Sequence, residues 1–140
     1  MHLKRILIGT DGSPTSRRAV AEGLTLAKAL GSAITLVSVL HDVPPTFESA
    51  AEGPSGPAMS VINDAIAEAE QLGIEADYQI LTGDAAEQIT RFGHDRDVDL
   101  IVVGSRGLGS VAGALLGSVS HGVLRHADRT VMVVKERSAV

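Results

Sequence analysis

Cysteine and tryptophan are both absent from the 140-residue chain. The lack of cysteine removes thiol catalysis, zinc–thiolate sites and any disulfide framework together. A chain of this length does not depend on them, because it can bury about 70% of the surface it exposes when unfolded. Residues 1–140 have the size of one ordinary domain and are read as one. Aromatics are scarce as well, and one Tyr with two Phe leaves little on which the bases of single-stranded nucleic acid could stack. Positive charge is in deficit, with 12 Lys and Arg against 17 Asp and Glu, and the net charge of −5 opposes contact with a phosphate backbone. Both features argue against a nucleic-acid partner. No run approaches the ~18 apolar residues of a membrane span. The N-terminus, Met1-His2-Leu3-Lys4-Arg5, passes straight into a short apolar segment ending at Gly9, which reads as a strand and not as a signal peptide. The expected location is the cytoplasm, with no membrane partner. What the chain has instead is 44% hydrophobic and 21% charged residues, the composition of a folded globule.

Apolar runs of strand length recur at residues 6–8, 33–40, 74–81, 100–103 and 131–134. Helical patterns lie between them. Ser13-Pro14 reads as an N-cap and first helical residue, after which Ala19, Val20, Leu24, Ala27 and Leu30 keep a 3.6-residue spacing until Gly31. Met59, Ile62, Ile66, Ala69 and Leu72 form a second stripe closed by Gly73. Asp84 opens a shorter helix with Ala85, Ile89 and Phe92, and Ser118 opens a last one with Val119, Val123 and Ala127. Strands that alternate with helices at these intervals imply βαβ units and an α/β fold, a parallel sheet covered on both faces. In the third strand Ala76, Tyr78 and Ile80 alternate with Glu75, Asp77 and Gln79, which suits an edge with one wetted face. The fourth is apolar throughout and belongs in the centre. The fifth, Val131-Met132-Val133-Val134, is also apolar throughout, and an uncovered apolar edge invites association. Residues 41–58 hold four of the five prolines and read as a long loop, with His41-Asp42 able to reach a pocket mouth or to form a solvated turn.

The segment after the fourth strand carries chemistry. It runs Gly104-Ser105-Arg106-Gly107-Leu108-Gly109-Ser110 and ends in Gly117-Ser118 at a helix start, so the pattern is GxxG, nine residues, then Gly-Ser. In a parallel sheet ligands bind beyond the carboxyl ends of the strands, where a glycine-rich loop entering a helix offers backbone N–H groups and the positive end of a dipole. That combination favours phosphate, and Ser118 and Ser120 add hydroxyl donors. Gly9-Thr10-Asp11-Gly12-Ser13 follows the first strand at the same sheet edge. A P-loop would need a Gly-Lys pair, which the chain lacks, and a dinucleotide fingerprint would need GxGxxG where GTDGS stands. Among the five histidines, His121 and His126 are about 140° apart around one helix, and no HxxxH or HExxH spacing points to a dedicated metal site.

These residues resemble the ATP-binding branch of the universal stress protein family. The family's glycine motif is matched by Gly104, Gly107, Gly117 and Ser118, and the likeness extends to IGTDGS at 8–13, LVSV at 36–39, Gly83-Asp84 and VMVV at 131–134. Thr130, where many members have proline, and Gly93, which would shorten the third helix, depart from the pattern. The resemblance implies an open five-stranded parallel sheet in the order 3-2-1-4-5, of the Rossmann-like, adenine nucleotide alpha hydrolase-like type. It further implies a site for ATP or ADP with Mg²⁺ held through the phosphates. Gly9 and Thr10 would line the adenosine pocket, Asp11 would face the ribose, and Val39 would contact adenine largely through its backbone. Gly104, Arg106 and Gly107 would follow ribose and phosphates, and Gly117, Ser118, Val119 and Ser120 would hold the terminal phosphates. Each also has a plainer reading: Asp11 as a turn residue, Val39 as core, Ser118 as an N-cap.

Phosphoryl transfer usually needs a placed base or a residue that orients water, and Asp11 is the one carboxylate firmly at the ligand edge. The expectation is therefore an adenine-nucleotide-binding regulatory module of the stress response, dimeric through residues 131–134, with little or no hydrolysis. The alternatives are a slow Mg-dependent ATPase using Asp11 or Asp42, and a protein-interaction dimer with a vestigial pocket, against which the intact glycine motif argues.

Overall fold

The computed structural model of the chain describes residues 2–40, 56–106 and 116–136. Five strands, β1 (Arg5–Gly9), β2 (Ala33–Leu40), β3 (Ala76–Thr82), β4 (Leu100–Gly104) and β5 (Thr130–Val134), form one sheet in the order β3-β2-β1-β4-β5. Every neighbouring pair is parallel, as the alternation of elements predicts. The helices are α1 (Pro14–Leu30), α2 (Gly56–Gln71), α3 (Ala85–Asp95) and α4 (Ser118–His126).

Side chains of a strand alternate between faces, so the register decides which residues share a layer. Ile6 lies abreast of Ile34 and Leu100, and Ile8 abreast of Leu36 and Val102. These six pack with Val20 and Leu24 of α1 and Ile62 and Ala69 of α2. The intervening Leu7, Val37, Ile101 and Val103 join Ile89 of α3 and Val123 of α4 in a second layer. Both faces of the central strands are buried, which is why β1 and β4 read as unbroken apolar runs. Among the described residues no helix is long and apolar enough to cross a membrane.

Several local expectations are corrected. Residues 56–58 were expected in the loop, but α2 begins at Gly56, with Pro57 in its first turn, where a missing N–H costs no hydrogen bond. His41-Asp42 lies outside the described residues. Gly93 does not shorten α3, which continues to Asp95; a Cβ at 93 would stand 3.0 Å from Ile101 Cδ1, so the glycine lets the helix sit close on β4. β3 starts at Ala76 rather than at 74, and its alternation is incomplete. Ala76 and Ile80 pack on the core, but Tyr78 is 49% exposed because an edge strand has a neighbour on one side only. Ala127 caps α4 instead of continuing it.

At the amino-terminal ends of β4 and β5, Arg129 joins the two preceding turns. Its guanidinium stands 2.6 Å from Asp97 Oδ1 and 3.2 Å from Asp128 Oδ1, and His94 Nδ1 is 2.9 Å from Asp128 Oδ2. The hydrogen bond from Arg129 holds the Asp97 carboxyl below its ordinary value, and the one with His94 does so for Asp128. This cluster fixes the turn in which Asp97 has a φ of 51°, at the end of the sheet away from the glycine-rich loops.

Candidate functional site

Because the strands are parallel, their carboxyl ends meet at one edge. Chain order leaves β1 towards β2 on one side and β4 towards β5 on the other, so the loops after β1 and β4 part and leave a crevice. A cleft of about 630 Å³ opens there, within the usual size range of small-molecule sites. Gly9, Thr10 and Asp11 line it from β1, Val39 from β2, Gly104 and Arg106 from β4, and Ser118 and Val119 from α4. Gly107 lies outside the described residues.

Gly117 and Ser120 stand behind this wall. Gly117 N donates to Ser105 O at 2.6 Å, and the Ser120 hydroxyl, in a residue 1% exposed, donates to the same oxygen at 2.7 Å. They fasten the start of α4 to the end of β4. Sequence reasoning missed a second set: Ser13 and Ser16 of the α1 turn, Ser38 of β2, Ala58 and Val61 of α2, and Ile89 of α3. For Ala58 the signal was hidden by Pro54 and Pro57, which looked like loop. For Ser16 a trace existed, since Ser13 and Ser16 have the spacing of a capping pair, and Ser16 N does donate to Ser13 Oγ.

The loops after β1 and β4 are one unit. Thr15 Oγ1 donates to Arg106 O and accepts from Arg106 N at 3.3 Å, while Ser13 Oγ donates to Arg106 O at 3.4 Å. Ser16 Oγ is 3.2 Å from Thr10 Oγ1 and accepts from Asp11 N at 3.3 Å. Gly104 is where α1 comes closest: a Cβ there would be 2.7 Å from Ser16 N. The first turn of α1 is thus hydrogen-bonded to both loops.

Charge on the wall is sparse. Among the described residues Asp11 and Arg106 are the charged side chains that line the cleft. Asp11 Oδ1 accepts from Ser13 N at 2.9 Å, an Asx-type turn that fixes the carboxylate. Arg106 is paired with Glu136 at 2.9 Å. All four helices start at this edge, and the caps of three of them lie among the described residues and differ. Ser13 caps α1 and Asp84 caps α3 through their side chains, whereas α4 starts at Gly117 with no side-chain cap. Among the described residues no side chain caps its first turn, whose N–H groups and dipole suit an anionic acceptor. Apolar wall from Val39, Val61, Ile89 and Val103 completes a site with one greasy and one polar side. Among the described residues no group of three or more His, Cys, Asp or Glu could hold a metal ion.

An open, doubly wound sheet with its crevice at the point where strand order reverses defines the class of α/β proteins that take small ligands at the strand carboxyl ends. Within that class the chain belongs to the universal stress protein family, which residues 2–135 match. It is 31% identical over 145 residues to a universal stress protein of Methanocaldococcus jannaschii, covering 95% of this chain and 82% of that one. It is 35% identical over 138 residues to a universal stress protein of Thermus aquaticus, covering 94% and 98%. Among solved structures, hypothetical protein MJ0577 superposes with a TM-score of 0.80 at 27% identity, covering 99% and 100% of the two chains. A universal stress protein in complex with cAMP superposes at 0.77 with 25% identity, covering 96% and 98%.

Proposed function

We propose that the cleft binds an adenine nucleotide, ATP or ADP with Mg²⁺, and that the protein is a nucleotide-binding regulatory module with little or no hydrolysis. The observation that carries this reading is the pairing, in one cleft, of an apolar wall around Val39 and Ile89 with the uncapped start of α4. A purine needs the first and an anionic phosphate the second. A relative at 25% identity binds cAMP, an adenine nucleotide, in the same fold, which supports the choice of base. Gly9, Thr10, Asp11 and Val39 would take the nucleoside, Gly104, Arg106 and Gly107 the ribose–phosphate, and Ser118, Val119 and the turn built by Gly117 and Ser120 the terminal phosphates. Asp11 is the single carboxylate on the described wall and is already bonded to Ser13 N, so it is poorly placed as a base. Calorimetric titration with Mg·ATP should show saturable binding, with turnover on the same sample well below ~1 s⁻¹. Folded protein that takes up no nucleotide at millimolar ATP would remove this reading.

The open side of β5 is proposed as a homodimer edge. Among the described residues β5 pairs with β4 alone, and Val131, Met132 and Val133 remain half-buried. Pairing two such edges about a two-fold axis joins their outward-facing strands and closes the assembly. Light scattering should give twice the 14.5 kDa chain mass at tens of micromolar, with β5 amides losing exchange protection on dilution. A particle of one chain mass would overturn it.

A further inference from the structure

We propose that Glu136 is a built-in competitor for the phosphate end of the ligand, so that it sets how strongly the cleft prefers a phosphorylated nucleotide over the bare nucleoside. The inference rests on the nucleotide reading above and assigns a specificity role to a residue outside the cleft wall. Arg106 is the one cationic side chain on the described wall. Its backbone cannot move freely, since Thr15 engages both Arg106 N and Arg106 O. The preceding residue is held too, with Ser105 N donating to Val134 O at 2.8 Å. Only the side chain is left to respond to a ligand. Its guanidinium is held by Glu136, Nη2 to Oε2 at 2.9 Å. The last ladder pair of β4 and β5 is Gly104 with Val134, so both partners of the ion pair lie two residues beyond the same rung. Adjacent parallel strands thus deliver the carboxylate to the cation.

A guanidinium pairs with carboxylate and phosphate through the same N–H groups. Glu136 takes Nη2 of a guanidinium with five N–H donors, so a phosphate that pairs with Arg106 through Nη2 competes with Glu136, and in any pairing mode the nearby carboxylate opposes the ligand's negative charge. Adenosine, which carries no charge, meets neither cost. Arg106 is 33% and Glu136 53% exposed, and exposed pairs of this kind are weak, so the device tunes affinity without closing the site. Discrimination should grow with ligand charge and fade as salt screens it.

The test is titration of ATP and of adenosine into the wild type, Glu136→Gln, Arg106→Gln and the double variant at low and high salt. Glu136→Gln should tighten ATP by about three- to fivefold at low salt, less at high salt, and leave adenosine unchanged. In the Arg106→Gln background the same change should give a smaller gain, because there is no cation left to release. Unchanged or weakened ATP binding by Glu136→Gln, or an equal gain for adenosine, overturns the proposal while the nucleotide reading stands. A wild type that binds neither compound overturns both.

Discussion

Gly104→Ala is expected to cost about 3 kcal/mol of folding stability, although it adds one methyl group to the end of a strand. The added Cβ would lie 2.7 Å from Ser16 N and from Thr15 C, and 2.8 Å from Thr15 O. All three are backbone atoms in the first turn of α1, a turn fixed by Pro14 and by the Ser13 cap. Relief therefore requires α1 to lift from β4 as a body, which opens the layer where Val20 and Leu24 meet Leu100 and Val102. Gly23 supplies the internal control. A Cβ there would be only 2.6 Å from Ile8 Cδ1 and 3.0 Å from Ile8 Cγ1, but both are side-chain atoms, which yield more readily than the backbone met at 104. Gly23→Ala should cost about 1 kcal/mol, so the closer contact should be the cheaper one. Urea unfolding of both variants, followed by far-UV circular dichroism, decides the point. A loss at position 104 no larger than at 23 would show that α1 and β4 are not locked as described.

That prediction bears on how far the site was legible in the sequence. The layers were readable because unbroken apolar runs in β1 and β4 and a period of 3.6 in α1 record burial directly. Gly104 was readable as a glycine that matters, but its cause was not. In the sequence it opens a phosphate-type loop; in the fold it is also demanded by the backbone of α1, an element some 90 residues earlier. Ser120 was similarly double: as a hydroxyl near a helix start it suggested a ligand contact, yet it is spent on Ser105 O. Neither contact has a period or a spacing, since each depends on how βαβ units fold back on one another. The Arg106–Glu136 pair and the bonds from Thr15 to Arg106 belong to the same group, joining residues 30 and 91 positions apart. α2 supplied Ala58 to the cleft from a stretch whose prolines and glycines read as loop, and Val61 from the helical stripe that begins at Met59.

Val39→Trp is expected to weaken ATP binding by about 30-fold or more while leaving the fold in place. Val39, next to last in β2, lies on the wall of the cleft and is only partly buried, so a larger side chain at this position can turn into open space instead of into the packed layer beneath. The space available, about 630 Å³, accommodates an indole without the strain that overpacking a closed core would cause. The same indole would occupy the apolar end where the purine is proposed to lie, beside Ile89 and Val103. Losing about 2 kcal/mol of purine contact corresponds to that 30-fold drop. The chain has no other tryptophan, so the new fluorophore reports on its own surroundings. Its emission should be blue-shifted by the apolar wall and should change little on adding ATP, because the nucleotide no longer enters. Adenosine and ATP should lose affinity together, which separates this variant from Glu136→Gln, where only the charged ligand responds. If Val39→Trp binds ATP as tightly as the wild type and its unfolding midpoint is unchanged, the purine does not sit against β2, and the apolar half of the cleft has been given the wrong occupant.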